Sequence, residues 1–271
     1  MTRLPTVFLP HSGGPWPLMP MARDAAHQAL TGWLQALAAR TEGARAVLWV
    51  SAHWEEALPT VQSGAAPPLL YDYSGFPAET YQIRWRAPGA PALAARIRAL
   101  LTAAGVPSAE NSARGFDHGA FVPGMVAWPT PTTPMLQLSL IRGLDPEAHL
   151  QLGRALQPLR DEGVLIVGSG MSYHNLRTLF SGRTDEVARH SAAFDAWMQR
   201  SCASPRLERE AQLTAWRRAP AAAECHPREE HLLPLHVVAG AAGDDPGRTT
   251  FSARLMGAQV SAIEFGAAPR S

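Results

Sequence analysis

No lysine occurs in this chain: all 24 of its basic residues are arginine. That absence removes lysine Schiff bases, the pyridoxal phosphate linkage and the phosphate-binding loop lysine from the available chemistry. Cysteine is nearly absent too. Cys202 and Cys225 are too few for a disulfide framework, so a reducing cytoplasm is the expected location. No apolar run is long enough to span a bilayer. The start, MTRLPTVFLPHSGGP, lacks a long apolar stretch followed by a cleavage site, and no signal peptide is expected. Charge is sparse and balanced, at 17% of residues with a formal net charge of +1. Such a surface offers no global field to attract nucleic acid or an anionic membrane, and neither is expected as a partner. No GxGxxG follows a strand, which leaves a dinucleotide-binding fold unsupported.

What the chain does have is hydrophobic residue at 46% over 271 positions, enough for a substantial core. Thr6-Val7-Phe8-Leu9 reads as a strand running into the loop Pro10-His11-Ser12-Gly13-Gly14-Pro15. Ala46 to Ala52 is a continuous apolar run of the kind found in buried parallel strands, with His53 at its C-terminal end. Gly163 to Gly168 repeats that grammar and leads to His174, and Met135 to Leu140 is a further strand candidate. Leu30, Leu34 and Leu37 recur at helical spacing within about Ala22–Arg40. Helices are also expected near Ala90–Ala104, Pro146–Glu162, Asp185–Arg200 and Leu207–Trp216. Strands alternating with helices predict an α/β fold, a central mainly parallel sheet flanked by helices. Pro129 to Pro134 is a rigid connector too short to divide domains, and residues 1–271 are expected to form a single domain. Ligands in such sheets bind beyond the carboxyl ends of the strands. His11, His53 and His174 all follow strands and are placed on that rim.

Ten histidines are present, and five sit in motifs suited to chemistry: FLPHSGGP, VSAHWEE, GFDHGAFVP, GSGMSYHNL and HPREEHLLPL. Neutral imidazole is the commonest ligand for zinc, copper and non-haem iron, and histidine is the usual proton carrier near neutral pH. His27, His149 and His190 lie within amphipathic helices and read as structural. His236 follows a proline in an apolar helix and reads as core. Cys225-His226 is at best a support for the site, since adjacent residues rarely present both side chains to one ion. His11, His53 and His231 form the better ligand set: two follow strands and the third opens a helix. Three ligands would leave coordination positions open for substrate, unlike a closed structural site. None of the three is paired by a short spacing such as HExxH. Spacing alone favours ordinary polar core and surface histidines.

The segments PHSGGP, SAHWEE, YDYSGFPAETYQIRWRAPG, GFDHGAFVPGM, PMLQLSL, LRDEGVLIVGSGMSYHNLR and HPREEHLLPLHVVAGAAG, taken in order, resemble the class III extradiol ring-cleavage dioxygenases, in their DOPA-dioxygenase-like branch. The resemblance runs from Pro5 to Gly243. DHG, GSG followed by HNL, and EHLLPL are specific in combination. One departure is Ser12, which interrupts a loop that is otherwise glycine-rich after its histidine.

The resemblance implies a non-haem iron enzyme that opens the ring of a catecholic substrate with O2 to give a semialdehyde acid. Fe(II) is the implied active metal, with Zn(II) able to fill the same site. His11, His53 and His231 match the metal-binding positions. His174 matches a histidine beside the metal, drawn either as a further ligand or as an acid/base. His118 matches a histidine that handles oxygen and protons without binding the metal. Asp117 is expected to fix the tautomer of His118, and Glu230 to point away from the site on a helix. Trp16, Tyr71, Tyr73, Phe76, Trp85 and Phe121 are candidate walls for the aromatic ring. Two other classes remain open: a zinc hydrolase, because zinc-bound water at three histidines is a hydrolytic nucleophile, and a non-catalytic metal-binding protein on the same scaffold.

Overall fold

A computed structural model describes residues 3–266. Eight strands join in one sheet: β1 (Thr6–Pro10), β2 (Ala46–Glu56), β3 (Thr60–Gln62), β4 (Ala109–Asn111), β5 (Met135–Ile141), β6 (Val164–Gly170), β7 (Gly247–Leu255) and β8 (Ala258–Phe265). Their order is β4-β3-β5-β2-β6-β1-β8-β7. The central run β5-β2-β6-β1 is parallel throughout, with Leu48 opposite Ile166 and Val7 opposite Val167. Antiparallel pairing is confined to β3 with β5, β1 with β8, and β7 with β8. The central strands are covered on both faces, so they read as unbroken apolar runs rather than alternating ones.

The helices are α1 (Ala25–Arg40), α2 (Pro91–Ala103), α3 (His118–Ala127), α4 (Pro146–Leu156), α5 (Leu176–Leu179), α6 (Thr184–Ala203), α7 (Arg206–Thr214), α8 (Ala222–Cys225) and α9 (Leu233–Ala242). Asp24 caps α1 by accepting from the His27 backbone N–H, and Leu30, Leu34 and Leu37 form its buried stripe. Helix α4 ends at Leu156, short of the expected Glu162, and tightens into a 3₁₀ turn over Gln157–Arg160. Pro158 has no N–H to continue the α-helical ladder. Every residue of α9 is buried, as expected for a helix apolar on all sides.

The pleat of β6 shows how the two faces are filled. A Cβ on Gly168 would meet the Pro234 carbonyl of α9, whereas the neighbouring Ser169 hydroxyl reaches the Gly119 carbonyl of α3. Successive side chains of a strand point to opposite faces, so α9 and α3 sandwich the sheet at its centre. Among the described residues, no helix is long and apolar enough to cross a membrane.

Candidate metal centre and substrate cavity

The five motif histidines meet at the carboxyl end of the parallel strands. His11 is the first residue past β1, where its backbone N–H reaches the Gly170 carbonyl at 3.2 Å. His53 lies in the frayed end of β2, beyond the regular pairing with β6. His118 opens α3, His174 follows β6, and His231 sits in the turn two residues before α9. The turn carrying His231 can approach because β6 ends in glycine: a Cβ on Gly170 would lie 2.1 Å from the His231 carbonyl oxygen. Ring centroids are 4.9 Å apart for His11 and His53, 5.2 Å for His11 and His231, and 4.8 Å for His53 and His231. His118 stands 3.9 Å from His53, and His174 stacks on His231 at 3.2 Å.

Hydrogen bonds fix how these rings present their nitrogens. Ser169 donates its hydroxyl proton to the Gly119 carbonyl, so its lone pair accepts from His11 Nδ1–H at 3.1 Å. That leaves His11 Nε2 unprotonated and facing the cluster. Glu230 Oε1 accepts from His231 Nδ1 at 2.8 Å and from His174 Nδ1 at 3.1 Å. His231 Nε2 is then a buried lone pair with no protein partner. Asp72 lies beside the other pair: its Oδ1 accepts from His118 Nδ1 at 2.9 Å, and its Oδ2 faces His53 Nδ1 at 3.8 Å. Burial, reinforced by the neighbouring imidazoles, holds His11 and His231 well below the ordinary histidine range and His53 at about 3. All three are therefore neutral near pH 7, the state that binds a metal. Burial tends to raise the carboxyls of Asp72 and Glu230, but hydrogen bonds from His118 and His174 bring both below the usual range.

This donor set fits a divalent metal. His11 Nε2 and His53 Nε2 are 3.1 Å apart. Two bonds of about 2.1 Å meeting at 90–110° would separate their nitrogens by about 3.0–3.4 Å. If His53 carries its proton on Nδ1, the two facing lone pairs repel unless a cation sits between them. Ligand atoms of His11, His53 and His118 lie within 4.8 Å of one another, as do those of His174, Glu230 and His231. The orphaned Nε2 of His231 makes it a candidate third nitrogen beside the grouping of His118 with His11 and His53, since a buried lone pair without a partner is costly. The pairing of each ring with a hydroxyl or carboxylate on its far side is the usual support of a metal-binding histidine.

Two expectations are corrected here. Asp117 does not hold His118: its carboxylate accepts from Ser51, Gln137 and Arg114, and Asp72 takes the role instead. Glu230 does not point away, because residue 230 lies in a turn rather than on a helix, and its carboxylate faces two of the rings. His27, His149, His226 and His236 make structural hydrogen bonds. His149 accepts from the Ile141 N–H, and His236 bonds the Leu213 carbonyl. His226 donates from Nε2 to the Ser172 carbonyl and so steadies the loop leading to His174, while the Cys225 carbonyl accepts the His174 N–H. Ser12 has a left-handed φ of 61° and gives its hydroxyl to His27 Nε2 at 2.9 Å, with His27 Nδ1 on the Asp24 carboxylate. Serine at that point ties the first loop to the start of α1.

Above the rings opens a cavity of about 700 Å³. Of the six candidate wall aromatics, Tyr73 and Phe76 line it, and Trp16, Tyr71, Trp85 and Phe121 do not. Trp16, Trp85 and Phe121 are core residues instead.

An α/β sheet carrying a histidine cluster at the carboxyl ends of its strands, under an open cavity, defines a metal-dependent enzyme. Residues 6–263 match the family described as the catalytic LigB subunit of aromatic ring-opening dioxygenase. The chain belongs to this family. It is 34% identical to "Dioxygenase tasH" of Hapsidospora irregularis, covering 97% of this chain and 85% of that protein. It is 42% identical to "4,5-DOPA dioxygenase extradiol" of Beta vulgaris over 74% of each chain, and 32% identical to the protein of the same name from Escherichia coli over 89% of this chain and 86% of that one. Among solved structures, an uncharacterized Escherichia coli protein, JW3007, superposes with a TM-score of 0.79 at 29% identity, covering 97% of this chain and all of the other. Family and relatives together support a ring-cleaving dioxygenase, and membership of that family implies a small aromatic substrate and O2.

Proposed function

We propose that residues 1–271 form one catalytic domain, a non-haem Fe(II) extradiol dioxygenase that opens a catechol to a semialdehyde acid. The observation that supports this reading is the convergence of ring nitrogens from His11, His53 and His231 beneath a cavity also lined by His118 and His174. Fe(II) held there would supply electron transfer between ring and dioxygen and would acidify the diol, which Zn(II), having no accessible redox change, supplies only in part.

The chain's own groups account for the protons. His174 is the base for a diol hydroxyl: Glu230 holds its Nδ1 proton, which leaves Nε2 free to accept, and the carboxylate steadies the imidazolium that forms. His118 is the proton donor on the opposite side once its Nε2 has taken up a proton, and Asp72 steadies that imidazolium as Glu230 steadies the one on His174. Tyr73 and Phe76 wall the ring. The overall change needs no outside reductant: the carbon–carbon bond beside the diol breaks, and both oxygen atoms enter the product. The free, buried Cys202 and Cys225 accord with a cytoplasmic setting.

The test is anaerobic reconstitution with Fe(II), then a panel of catechols with oxygen uptake and ring-opened product recorded together. Stoichiometric uptake and product support the reading. Oxygen-independent turnover of a hydrolysable substrate by the zinc form would replace it with the hydrolase.

A further inference from the structure

Beyond the histidines, much of the cavity lining is apolar. Met171 and Tyr173 after β6 contribute to this lining, as do Leu255 and Met256 at the end of β7. Met256 and Gly257 form the two-residue turn of the β7–β8 hairpin, both at positive φ, 51° and 88°. Asparagine or glycine is the relaxed choice at such a turn, and a long unbranched side chain there costs about 1 kcal/mol. The Met256 sulfur packs 3.1 Å from the position a Cβ would take on Gly13, so the strained turn delivers an apolar, adaptable side chain to the cavity wall. The mouth is apolar as well. Leu176, Leu179 and Phe180 border it, with Leu176 48% and Phe180 75% exposed. Large apolar side chains clustered at a cavity rim mark a binding surface rather than incidental exposure.

Apart from its histidines, the only cation lining this cavity among the described residues is Arg228. It is already engaged. Both Glu55 oxygens take its guanidinium at 2.6 Å, and Glu230 Oε2 stands 3.4 Å away. Two carboxylates therefore face one arginine. A substrate carboxylate entering here must displace Glu55 or lie beside like charges. The volume of about 700 Å³ falls in the range of drug-sized ligands, about 300–1,000 Å³, and leaves room for a substituent beyond the diol-bearing ring.

We propose that this cavity selects catechols bearing neutral, apolar substituents and discriminates against those bearing a carboxylate, with the Glu55–Arg228 pair as the excluding device. The inference rests on the ring-cleaving reading above and names its substrate class. With the diol at the histidines, the substituent shares the cavity with methionine, leucine and phenylalanine side chains and with the Glu55–Arg228 pair, so apolar burial is favourable and a further negative charge is not.

The experiment compares 4-butylcatechol with 3-(3,4-dihydroxyphenyl)propanoate, which has a chain of similar length ending in a carboxylate. Steady-state kcat/KM is measured on the Fe(II) protein, and binding of each compound is measured anaerobically by calorimetry, a readout independent of turnover. The expected result is a preference of about tenfold or more for the neutral compound in both measurements. Glu55→Gln should free Arg228 and shift the ratio toward the carboxylate, again by about tenfold, through KM more than kcat. Equal or better use of the carboxylate by the unmodified protein overturns the inference and leaves the ring-cleaving reading standing. An unchanged ratio in Glu55→Gln removes the Glu55–Arg228 pair from the explanation. Absence of turnover with both compounds, iron being bound, overturns the ring-cleaving reading and the inference together.

Discussion

Asp72 Oδ1 accepts two hydrogen bonds from His118, one from the backbone N–H and one from Nδ1, each at 2.9 Å. The carboxylate thus fixes both the position of the residue and the direction of its ring. Nδ1 carries the proton, and Nε2 is left for the cavity. His118→Ala should keep iron and bind catechol yet lose about 10²–10⁴-fold in turnover, the usual contribution of a general acid or base. Asp72→Asn should lose less, because an amide oxygen still accepts from Nδ1–H but no longer stabilises an imidazolium. Single-turnover rates with iron content measured in parallel decide the matter. Near-normal turnover in His118→Ala with iron unchanged would take His118 out of the mechanism.

The ligand set makes a separate prediction about metal content. His11→Ala, His53→Ala and His231→Ala should each lose iron, and activity with it. His174→Ala should be intermediate, since its ring stacks on His231 and shares Glu230. Ser169→Ala is the sharper variant. It removes the hydroxyl that holds His11 Nδ1 and should weaken iron binding about 10–100-fold without touching a ligand. Metal titration with a competing chelator measures this directly, and unaltered affinity in Ser169→Ala would contradict the tautomer assigned to His11.

The placement of three of these histidines is legible in sequence for a reason of topology, whereas their roles rest on the family resemblance. In a parallel sheet, a histidine directly after an apolar run lands on the rim where ligands bind, and His11, His53 and His174 follow that rule. Their supports do not. Asp72 lies 46 residues before His118, in an irregular segment with no period to place it. Glu230 is misjudged because a helix is expected one turn too early; α9 begins only at Leu233. The β7–β8 hairpin escapes notice for a related reason. Its turn is Met256-Gly257, which lacks the Asn-Gly or Asp-Gly signal. Strands β3 and β4, at three residues each, are too short to show alternation.

Metal identity follows from electron count rather than geometry. Imidazole nitrogens accept zinc and iron alike, so the purified protein is expected to bind either. Only Fe(II) should support ring opening, with oxygen uptake matching product one to one. Zinc-loaded protein should bind catechol and take up no oxygen. Equal ring opening by both forms would show that no redox change at the metal is needed.

Buried histidines oppose protonation of the fold, those of the centre and His149 included, and His226 and His236 allow a share of this to be tested away from the cavity. His226 and His236 are fully buried, and burial lowers them to about 3 and about 4, while the same groups titrate near 6.5 in the unfolded chain. Between those values the unfolded chain binds protons that the folded chain refuses. Stability is therefore full above pH 6.5 and falls as the pH drops from 6.5 toward 4, by about 1.4 kcal/mol per pH unit for each histidine. Their replacement by glutamine keeps a donor for the Ser172 and Leu213 carbonyls but has no proton to gain. Urea unfolding of the metal-free protein at pH 7 and pH 5 provides the measurement. The unmodified chain should lose more stability over that interval than the His226→Gln, His236→Gln double variant, although the variant starts lower at pH 7. The same loss in both proteins would mean that acid lability comes from elsewhere, and that these two rings are protonated in the fold without penalty.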